Sequence, residues 1–279
     1  MTFFNLELIN NIETQCSLGE GLFVNQDDVS FVDINTNKLY IFESKSLKSF
    51  ELNIKPSLVF NINDKSINLF SEFGPVIFNR SLQIITSNND SALPHDITEY
   101  RSNDGGYINE SLIVGFMHRK APEKYQGYIY KVMQNQYELI DDSIYIPNSF
   151  IQLDKKSMLI SDSLDGAIWK FTFDEEAKLV SKELWTKLNT RGKPDGGCII
   201  DDYILISLWD GASIIVLNKN GDTLQYLSVN ALRPTNCKFN SKTSELWVTS
   251  ATEGLTANQI KKYPESGNTF IYKLIKGYK

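Results

Sequence analysis

The chain has 279 residues, of which 42% are apolar, and a formal net charge of −6 at pH 7. This size and composition allow a large buried core, while the acidic balance and the scattered Lys and Arg residues exclude nucleic acid as an expected partner. No apolar run approaches the roughly 20 residues of a membrane-spanning helix. Residues 1–7 become polar within a few positions and lack a positively charged region followed by an apolar stretch, so they do not resemble a signal peptide. The widely spaced cysteines suit reduced thiols. We therefore expect a cytoplasmic protein with no membrane partner, as a monomer or a weak homo-oligomer.

Strand signals dominate the chain. Runs rich in Val, Ile, Tyr, Phe and Trp follow polar turns and recur at intervals of roughly 40 to 55 residues. In chain order these predicted strands cover residues 38–42, 75–78, 127–131, 166–171, 213–217 and 269–273. Six repeats, each with room for about four strands, predict an all-β, six-bladed β-propeller with a central channel, forming one domain over residues 1–279. A β-sandwich or irregular barrel is the alternative, but neither fold requires the repeats to keep one phase.

Three loop-like motifs, each with an oxygen-bearing side chain, recur at nearly the same phase of this repeat. They are Leu18-Gly19-Glu20-Gly21, Pro147-Asn148-Ser149 and Pro194-Asp195-Gly196. A fourth polar cluster, Arg101-Ser102-Asn103-Asp104-Gly105, fits the same phase. Taken singly, each motif is ordinary turn chemistry, and Arg101 alone would suit a surface ion pair. Their shared phase instead places all four on one rim of the channel.

Glu20, Asn148 and Asp195 together form a hard, oxygen-only ligand set. Two carboxylates and an amide oxygen suit one divalent metal ion, Ca²⁺, Mg²⁺ or Mn²⁺, and Zn²⁺ is also compatible through the carboxylates. Only two histidines, His95 and His118, occur in the chain, so a histidine-rich zinc site is not expected. The sequence therefore predicts a metal site at the central channel.

The order and spacing of these motifs resemble the senescence marker protein, regucalcin and gluconolactonase family of six-bladed propellers. The resemblance also rests on Phe31-Val32-Asp33-Ile34, Gly115-Phe116-Met117, Ser161-Asp162-Ser163, Arg233-Pro234-Thr235-Asn236-Cys237 and Leu246-Trp247-Val248-Thr249-Ser250-Ala251. It implies that Glu20, Asn148 and Asp195 hold the metal and that Arg101 and Asn103 hold substrate hydroxyls. It further implies hydrolysis of a sugar lactone as the activity.

That chemistry is consistent with the residues. A metal ion of this kind polarises a lactone carbonyl and lowers the pKa of water, while a nearby carboxylate serves as general base. Asp195 is the predicted base because the turn before Gly196 aims it into the channel mouth. The guanidinium of Arg101 and the amide of Asn103 supply hydrogen bonds that would orient the substrate ring.

Several positions depart from the family pattern, among them Lys120 and Ser149. Many members carry an acidic residue that reaches the substrate after a Gly-Thr-Met motif, and the matching position here is Lys120. We therefore expect Lys120 to bind the substrate and to favour an acidic or phosphorylated sugar lactone, unless Glu123 supplies the missing carboxylate. Ser149 replaces a family glycine, and a left-handed backbone at this residue would cost on the order of 1 kcal/mol.

Three other functions fit parts of the pattern. A calcium-binding or ligand-sensing propeller of the regucalcin type would keep the metal ligands without turnover. In a protein-interaction propeller, Asp195 would only shape a turn and no metal would survive dialysis. An esterase acting on organophosphates or aryl esters commonly uses a buried second calcium and several histidines. This chain has only two histidines, which makes such a site less expected.

Overall fold

Alternating apolar and polar residues between short turns produce antiparallel strands along the whole chain. The computed structural model describes residues 3–26, 28–87, 93–134 and 136–277. These residues form six four-stranded antiparallel sheets and one short helix. Among them, no helix is long and apolar enough to cross a membrane.

Each sheet is one blade, and its first strand lies next to the first strands of the neighbouring blades, around the central channel. The first three blades comprise β2 (Gly19–Asn25), β3 (Asp28–Asp33), β4 (Lys38–Glu43) and β5 (Ser46–Glu51); β6 (Pro56–Ile62), β7 (Ser66–Ser71), β8 (Gly74–Asn79) and β9 (Ile84–Thr86); and β10 (Tyr100–Ile108), β11 (Ser111–His118), β12 (Tyr128–Val132) and β13 (Tyr137–Asp141).

The remaining blades follow the same order from inner to outer strand. They comprise β14 (Pro147–Gln152), β15 (Ser157–Asp162), β16 (Ala167–Phe173) and β17 (Leu179–Lys187); β18 (Lys193–Ile200), β19 (Tyr203–Trp209), β20 (Ser213–Leu217) and β21 (Thr223–Ser228); and β22 (Arg233–Asn240), β23 (Glu245–Ala251), β24 (Thr269–Lys276) and β1 (Phe4–Ile12). Helix α1 (Ala257–Lys262) lies between β23 and β24, with Thr256 as its N-cap.

The sixth blade joins the two ends of the described chain. Strand β1 pairs antiparallel with β24 in a register that runs from Phe4 opposite Lys276 to Ile12 opposite Thr269. This pairing closes the ring, so the prediction of a six-bladed β-propeller is confirmed. The six strands predicted from sequence coincide with β4, β8, β12, β16, β20 and β24, the third strand of each blade.

The core lies between blades. Among the described residues, buried apolar side chains form six clusters, one at each contact between neighbouring blades. A middle strand is covered on both faces, and all six residues of β15 are buried. Burial of each large apolar side chain contributes about 1.5–3 kcal/mol to the free energy of folding. Packing between sheets therefore fixes the positions of the inner strands.

All six inner strands lose register with their neighbour near the same end of the channel. Each has a β-bulge there, which leaves one or two residues unpaired. The unpaired residues are Gly21 and Leu22, Ser57, Asn103 and Asp104, Ser149 and Phe150, Asp195 and Gly196, and Thr235. A bulge changes the direction of the neighbouring side chains, and two of the unpaired residues, Asn103 and Asp195, line a cavity at this end of the channel.

Candidate functional site

A cavity of about 480 Å³ opens where the inner strands begin. Five residues predicted from sequence line it together: Glu20, Arg101, Asn103, Asn148 and Asp195. Glu20, Asn148 and Asp195 are buried, with 8%, 5% and 5% of their surfaces exposed. Four blades thus contribute side chains from residues far apart in the chain to one polar pocket.

Two aspartates fix the loops that carry Glu20 and Asn148. The carboxylate of Asp33 accepts backbone N–H groups from Ser17 and Leu18, at 2.8 and 3.0 Å. The carboxylate of Asp162 does the same for Tyr145 and Ile146, at 2.9 and 3.2 Å. These bonds hold the chain immediately before the inner strand in blades one and four. Both aspartates belong to motifs that carried the family resemblance, but their positioning role was not predicted.

Gly21 is required by close approach as well as by backbone conformation. Its φ is +60°, and a Cβ atom there would lie 2.4 Å from the Cα of Leu58 in the next blade. Since no side chain fits at that distance, the second glycine of the Gly-Glu-Gly motif allows β2 to pack against β6. Glu20 is thereby held at the channel.

Ser149 adopts the left-handed backbone considered from sequence, with φ of 76°. Its side chain offsets part of the cost, because Oγ donates to the carbonyl of Asp195 at 2.5 Å and lies 2.8 Å from Ser161 Oγ. The bond to Asp195 connects the bulge of β14 to the bulge of β18. Ser149 therefore positions the backbone of the predicted base.

A chain of hydrogen bonds connects the polar residues across blades. Arg101 Nη1 donates to Asn103 Oδ1 at 2.7 Å, and Asn103 Nδ2 donates to Asn148 Oδ1 at 3.0 Å. Asn148 Nδ2 donates to Ser163 Oγ at 2.8 Å, and Ser163 Oγ donates to the Pro194 carbonyl at 2.6 Å. Asn148 is thus oriented with its carbonyl oxygen towards the cavity, where a second lone pair is available for a ligand.

The charges of the two buried carboxylates are only partly balanced, because the Arg101 guanidinium lowers the pKa of Glu20 by less than burial and a neighbouring carboxylate raise it. Burial, together with the nearby Asp104 carboxylate, raises the pKa of Glu20 to about 8. Burial and the Glu20 carboxylate raise the pKa of Asp195 well above its ordinary value, and the two carboxyl groups hydrogen-bond to each other. A divalent cation would remove this repulsion and favour both ionised forms. The donor set therefore fits a hard divalent ion.

Other arrangements of metal ligands are not evident in the described parts of the chain. There, no three His, Cys, Asp or Glu side chains converge as a metal-binding group. Because the predicted set has two carboxylates and one amide, coordination would rely on Asn148 and on solvent or substrate oxygens.

Lys120 does not join this pocket. Its side chain is exposed, as is that of Glu123, and neither residue lines the cavity. The imidazole Nδ1 of His118 accepts the backbone N–H groups of Lys120 and Ala121, at 3.2 and 3.0 Å, and this turn directs Lys120 outward. The preceding residue, Arg119, lines the cavity instead.

Several lining residues were not singled out from sequence as site residues. Besides Arg119, the cavity wall includes Ser163, Lys193, Trp209, Asp210 and Glu253. Asp210 forms an ion pair with Arg233, at 2.6 Å between Oδ1 and Nε, and the Arg233 guanidinium lies over the Trp209 ring. Of these, Arg119 had a sequence signal, since it stands beside the position where a family carboxylate was expected.

Comparisons with curated proteins find partial matches to regucalcins. The chain is 28% identical to regucalcin from Bos taurus over 155 residues, which amount to 53% of this chain and 52% of the bovine protein. It is 29% identical to regucalcin from Gallus gallus over 123 residues, 42% of this chain and 41% of the chicken protein. The chain spans about half the length of the curated relatives it matches.

Solved structures share the fold over nearly the whole chain. A calcium-binding protein, regucalcin, from Agrobacterium tumefaciens superposes with a TM-score of 0.87 at 22% identity, covering 97% of this chain and 96% of that one. A gluconolactonase from Xanthomonas campestris gives a TM-score of 0.72 at 12% identity, with coverage of 95% and 89%. The family model for the SMP-30/gluconolactonase/LRE-like region matches residues 18–252, which confirms the resemblance seen in the sequence. The chain belongs to the SMP-30/gluconolactonase/LRE-like family.

Proposed function

We propose that the chain is a divalent-metal-dependent hydrolase that opens the ring of a sugar lactone. The observation that carries this proposal is the convergence of two buried carboxylates and an amide oxygen with hydrogen-bond donors in one cavity. Glu20, Asn148 and Asp195 would hold the ion, and Arg101 and Asn103 would bind the substrate. Family membership supports a lactonase-like activity.

The ion would supply Lewis acidity to the lactone carbonyl and make water a better nucleophile. Asp195 is the proposed general base, because its carboxylate is buried in the cavity and its backbone is fixed by Ser149. It accepts a proton from the water that attacks the carbonyl carbon. That proton then passes to the ring oxygen as the C–O bond breaks, which yields the open hydroxy acid.

Arg101 and Asn103 would orient the sugar ring. Arg101 Nη1 is committed to Ser102 and Asn103, at 3.0 and 2.7 Å, so the direction of the guanidinium is set before substrate arrives. In the described residues its remaining N–H groups have no hydrogen-bond partner, and they are available for substrate oxygens. Fixed donors of this kind lower the entropic cost of positioning the carbonyl for attack.

The test is hydrolysis of neutral, acidic and phosphorylated sugar lactones, followed with a pH indicator. Protein treated with a chelator should be inactive, and Ca²⁺, Mg²⁺, Mn²⁺ or Zn²⁺ supplied separately should restore turnover. Asp195→Asn should lose at least about 1,000-fold in kcat. Asp202→Asn is the matched control, since this exposed carboxylate pairs with Lys219 on the surface of the same blade.

Two outcomes would contradict the proposal. If metal binds tightly but no lactone is hydrolysed, the chain is a calcium-binding or ligand-sensing propeller, and Asp195→Asn changes only affinity. If the dialysed protein retains no metal and binds none, Asp195 only shapes a turn, as expected of a protein-interaction propeller.

A further inference from the structure

The cavity that holds the proposed metal ligands also presents three cationic side chains, Arg101, Arg119 and Lys193. Four carboxylates line the same space, and three of them have an assigned counter-charge. Glu20 and Asp195 would be balanced by the divalent ion, and Asp210 is paired with Arg233. Glu253 is the one remaining carboxylate, and its single negative charge does not neutralise the three cationic side chains. The cavity lining therefore has a net positive charge.

Arg119 is held in place independently of any ligand. Its Nε donates to the carbonyl oxygens of Ile97 and Tyr100, at 2.7 and 2.9 Å, and its side chain is only 19% exposed. Glu72, from the neighbouring blade, forms a long ion pair with it, with 3.9 Å between Glu72 Oε2 and Arg119 Nη2. Glu72 also accepts the backbone N–H of Lys55 at 3.0 Å. The terminal nitrogens of Arg119 are therefore fixed but weakly neutralised.

Arg101 and Arg119 line the same two cavities, where their positive charges repel each other. Burial lowers the pKa of Arg101, and the Arg119 guanidinium adds to this effect, while Glu253 and Glu20 oppose it. A neutral hydroxyl can accept a hydrogen bond from either residue, but it cannot balance two guanidinium charges. A carboxylate or phosphate does both, and its planar or tetrahedral oxygens match the forked donors of arginine.

We infer that the lactone substrate carries an oxyanion, a carboxylate or a phosphate, on the part of the sugar away from the reacting carbonyl, and that Arg119 with Arg101 binds it. This inference rests on the proposed function and names its substrate class. Arg119 is the specificity-determining residue, rather than its exposed neighbour Lys120. Lys193, on the same wall, adds attraction that salt screens.

The first test compares three lactones with the metal-supplied protein: glucono-1,5-lactone, its 6-phosphate and the lactone of the corresponding dicarboxylic acid. At least one anionic lactone should exceed the neutral one about 10- to 100-fold in kcat/KM, and the preference should shrink in high salt. Arg119→Gln should reduce the anionic-to-neutral ratio by about 10-fold or more, and the lactone that responds identifies phosphate or carboxylate. Lys120→Gln should keep the wild-type ratio.

Equal rates for neutral and anionic lactones would overturn the inference, as would a loss of the ratio in Lys120→Gln instead of Arg119→Gln. A second readout separates this failure from failure of the proposed function. Glucitol and glucitol 6-phosphate, which have no lactone ring to open, are titrated into the protein by calorimetry. A gain in affinity from the phosphate that Arg119→Gln removes supports the anion site even if no lactone turns over, and the absence of any gain overturns it.

Discussion

The two ends of the central channel are built from the same six inner strands but differ in charge balance. Where the strands begin, Glu20 and Asp195 hydrogen-bond to each other, and the Arg101 guanidinium balances their charge only in part. Farther along the strands lies a second cavity of about 230 Å³. Most of its lining residues are apolar, but Asp104 and Lys238 also line it. There the Lys238 ammonium offsets part of the burial effect that raises the pKa of Asp104. The unbalanced end is the one suited to bind a cation.

The bulges mark the boundary between the two ends. Before the bulges the inner strands carry Glu20, Arg101 and Asn148, which line the first cavity, whereas the bulge residues Leu22 and Phe150 line the second. Asn236 Oδ1 at this second end is buried and accepts no hydrogen bond from the described residues. A lone amide does not amount to a metal site.

The largest expected effect is on divalent-ion affinity, which should respond to a substitution at the first end of the channel but not at the second. Glu20→Gln should weaken divalent-ion binding by at least about 100-fold, because it removes one of the two proposed charged ligands. Calorimetric titration of the chelated protein with Ca²⁺ measures this. Gln152→Ala, which changes the lining of the second cavity, should stay within about twofold of wild type; equal losses in both variants would show that the ends are not distinct.

Removing the metal should make stability depend on pH in a defined direction. Below its ordinary value of 4.5, the Glu20 carboxyl is protonated in folded and unfolded chains alike, and no proton is released on unfolding. Between 4.5 and about 8 the folded chain keeps a proton that the unfolded chain loses, so stability falls as pH rises through this window. Thermal midpoints of chelated protein should therefore drop by several degrees from pH 5 to pH 8.

Glu20→Gln should flatten that slope, and saturating Ca²⁺ should raise the midpoint most at the alkaline end. A slope of opposite sign in chelated wild-type protein would contradict the raised pKa of Glu20. The pKa of Asp195 is also raised. If the stability of Glu20→Gln still depends on pH, we therefore expect it to fall as pH rises, as in the wild type.

A smaller effect tests whether the two ends influence each other. The Asp104 carboxylate raises the pKa of both Glu20 and Asp195. Asp104→Asn should thus weaken divalent-ion affinity by roughly three- to tenfold at pH 9, where proton competition is small. The alkaline slope of stability should also move to lower pH. No change in either quantity would mean that the ends are electrostatically independent.

The smallest effect concerns Ser149. Ser149→Gly relieves a left-handed backbone worth about 1 kcal/mol but removes hydrogen bonds of about 1 kcal/mol each to Asp195 and Ser161. We expect a net loss of about 1 kcal/mol in the free energy of unfolding, measured with urea. Ser149→Ala keeps the strain and loses the bonds, so it should be less stable than Ser149→Gly; the reverse order would contradict this account.

Much of the fold and of the candidate site follows from local patterns in the sequence. The third strand of every blade was predicted because aromatic and β-branched runs after polar turns are local signals. Glu20, Arg101, Asn103, Asn148 and Asp195 were grouped because a propeller converts equal phase in the repeat into equal position on one rim. Their convergence in one cavity is what that reasoning expected.

Lys120 shows where such reasoning fails. Whether residue 119 or 120 enters the cavity depends on one turn, which is fixed by hydrogen bonds from two backbone N–H groups to His118 Nδ1. A shift of one residue reverses the direction of a side chain, and no spacing in the sequence specifies it. The bulges were equally hidden, since they depend on pairing between strands.

Ring closure has a consequence for the order in which this protein can mature. Glu20 is synthesised before Asn148 and Asp195, but the flank of its strand is supplied by the sixth blade: Thr235 Oγ1 donates to the Gly19 carbonyl, and Leu18 forms a β-bridge with Ala251. Of the three proposed ligands, Glu20 is therefore synthesised first, although the contacts that flank its strand form only when the sixth blade is present. Since domains acquire their long-range contacts only when both partners exist, a nascent chain has no assembled ligand set until its final strands dock.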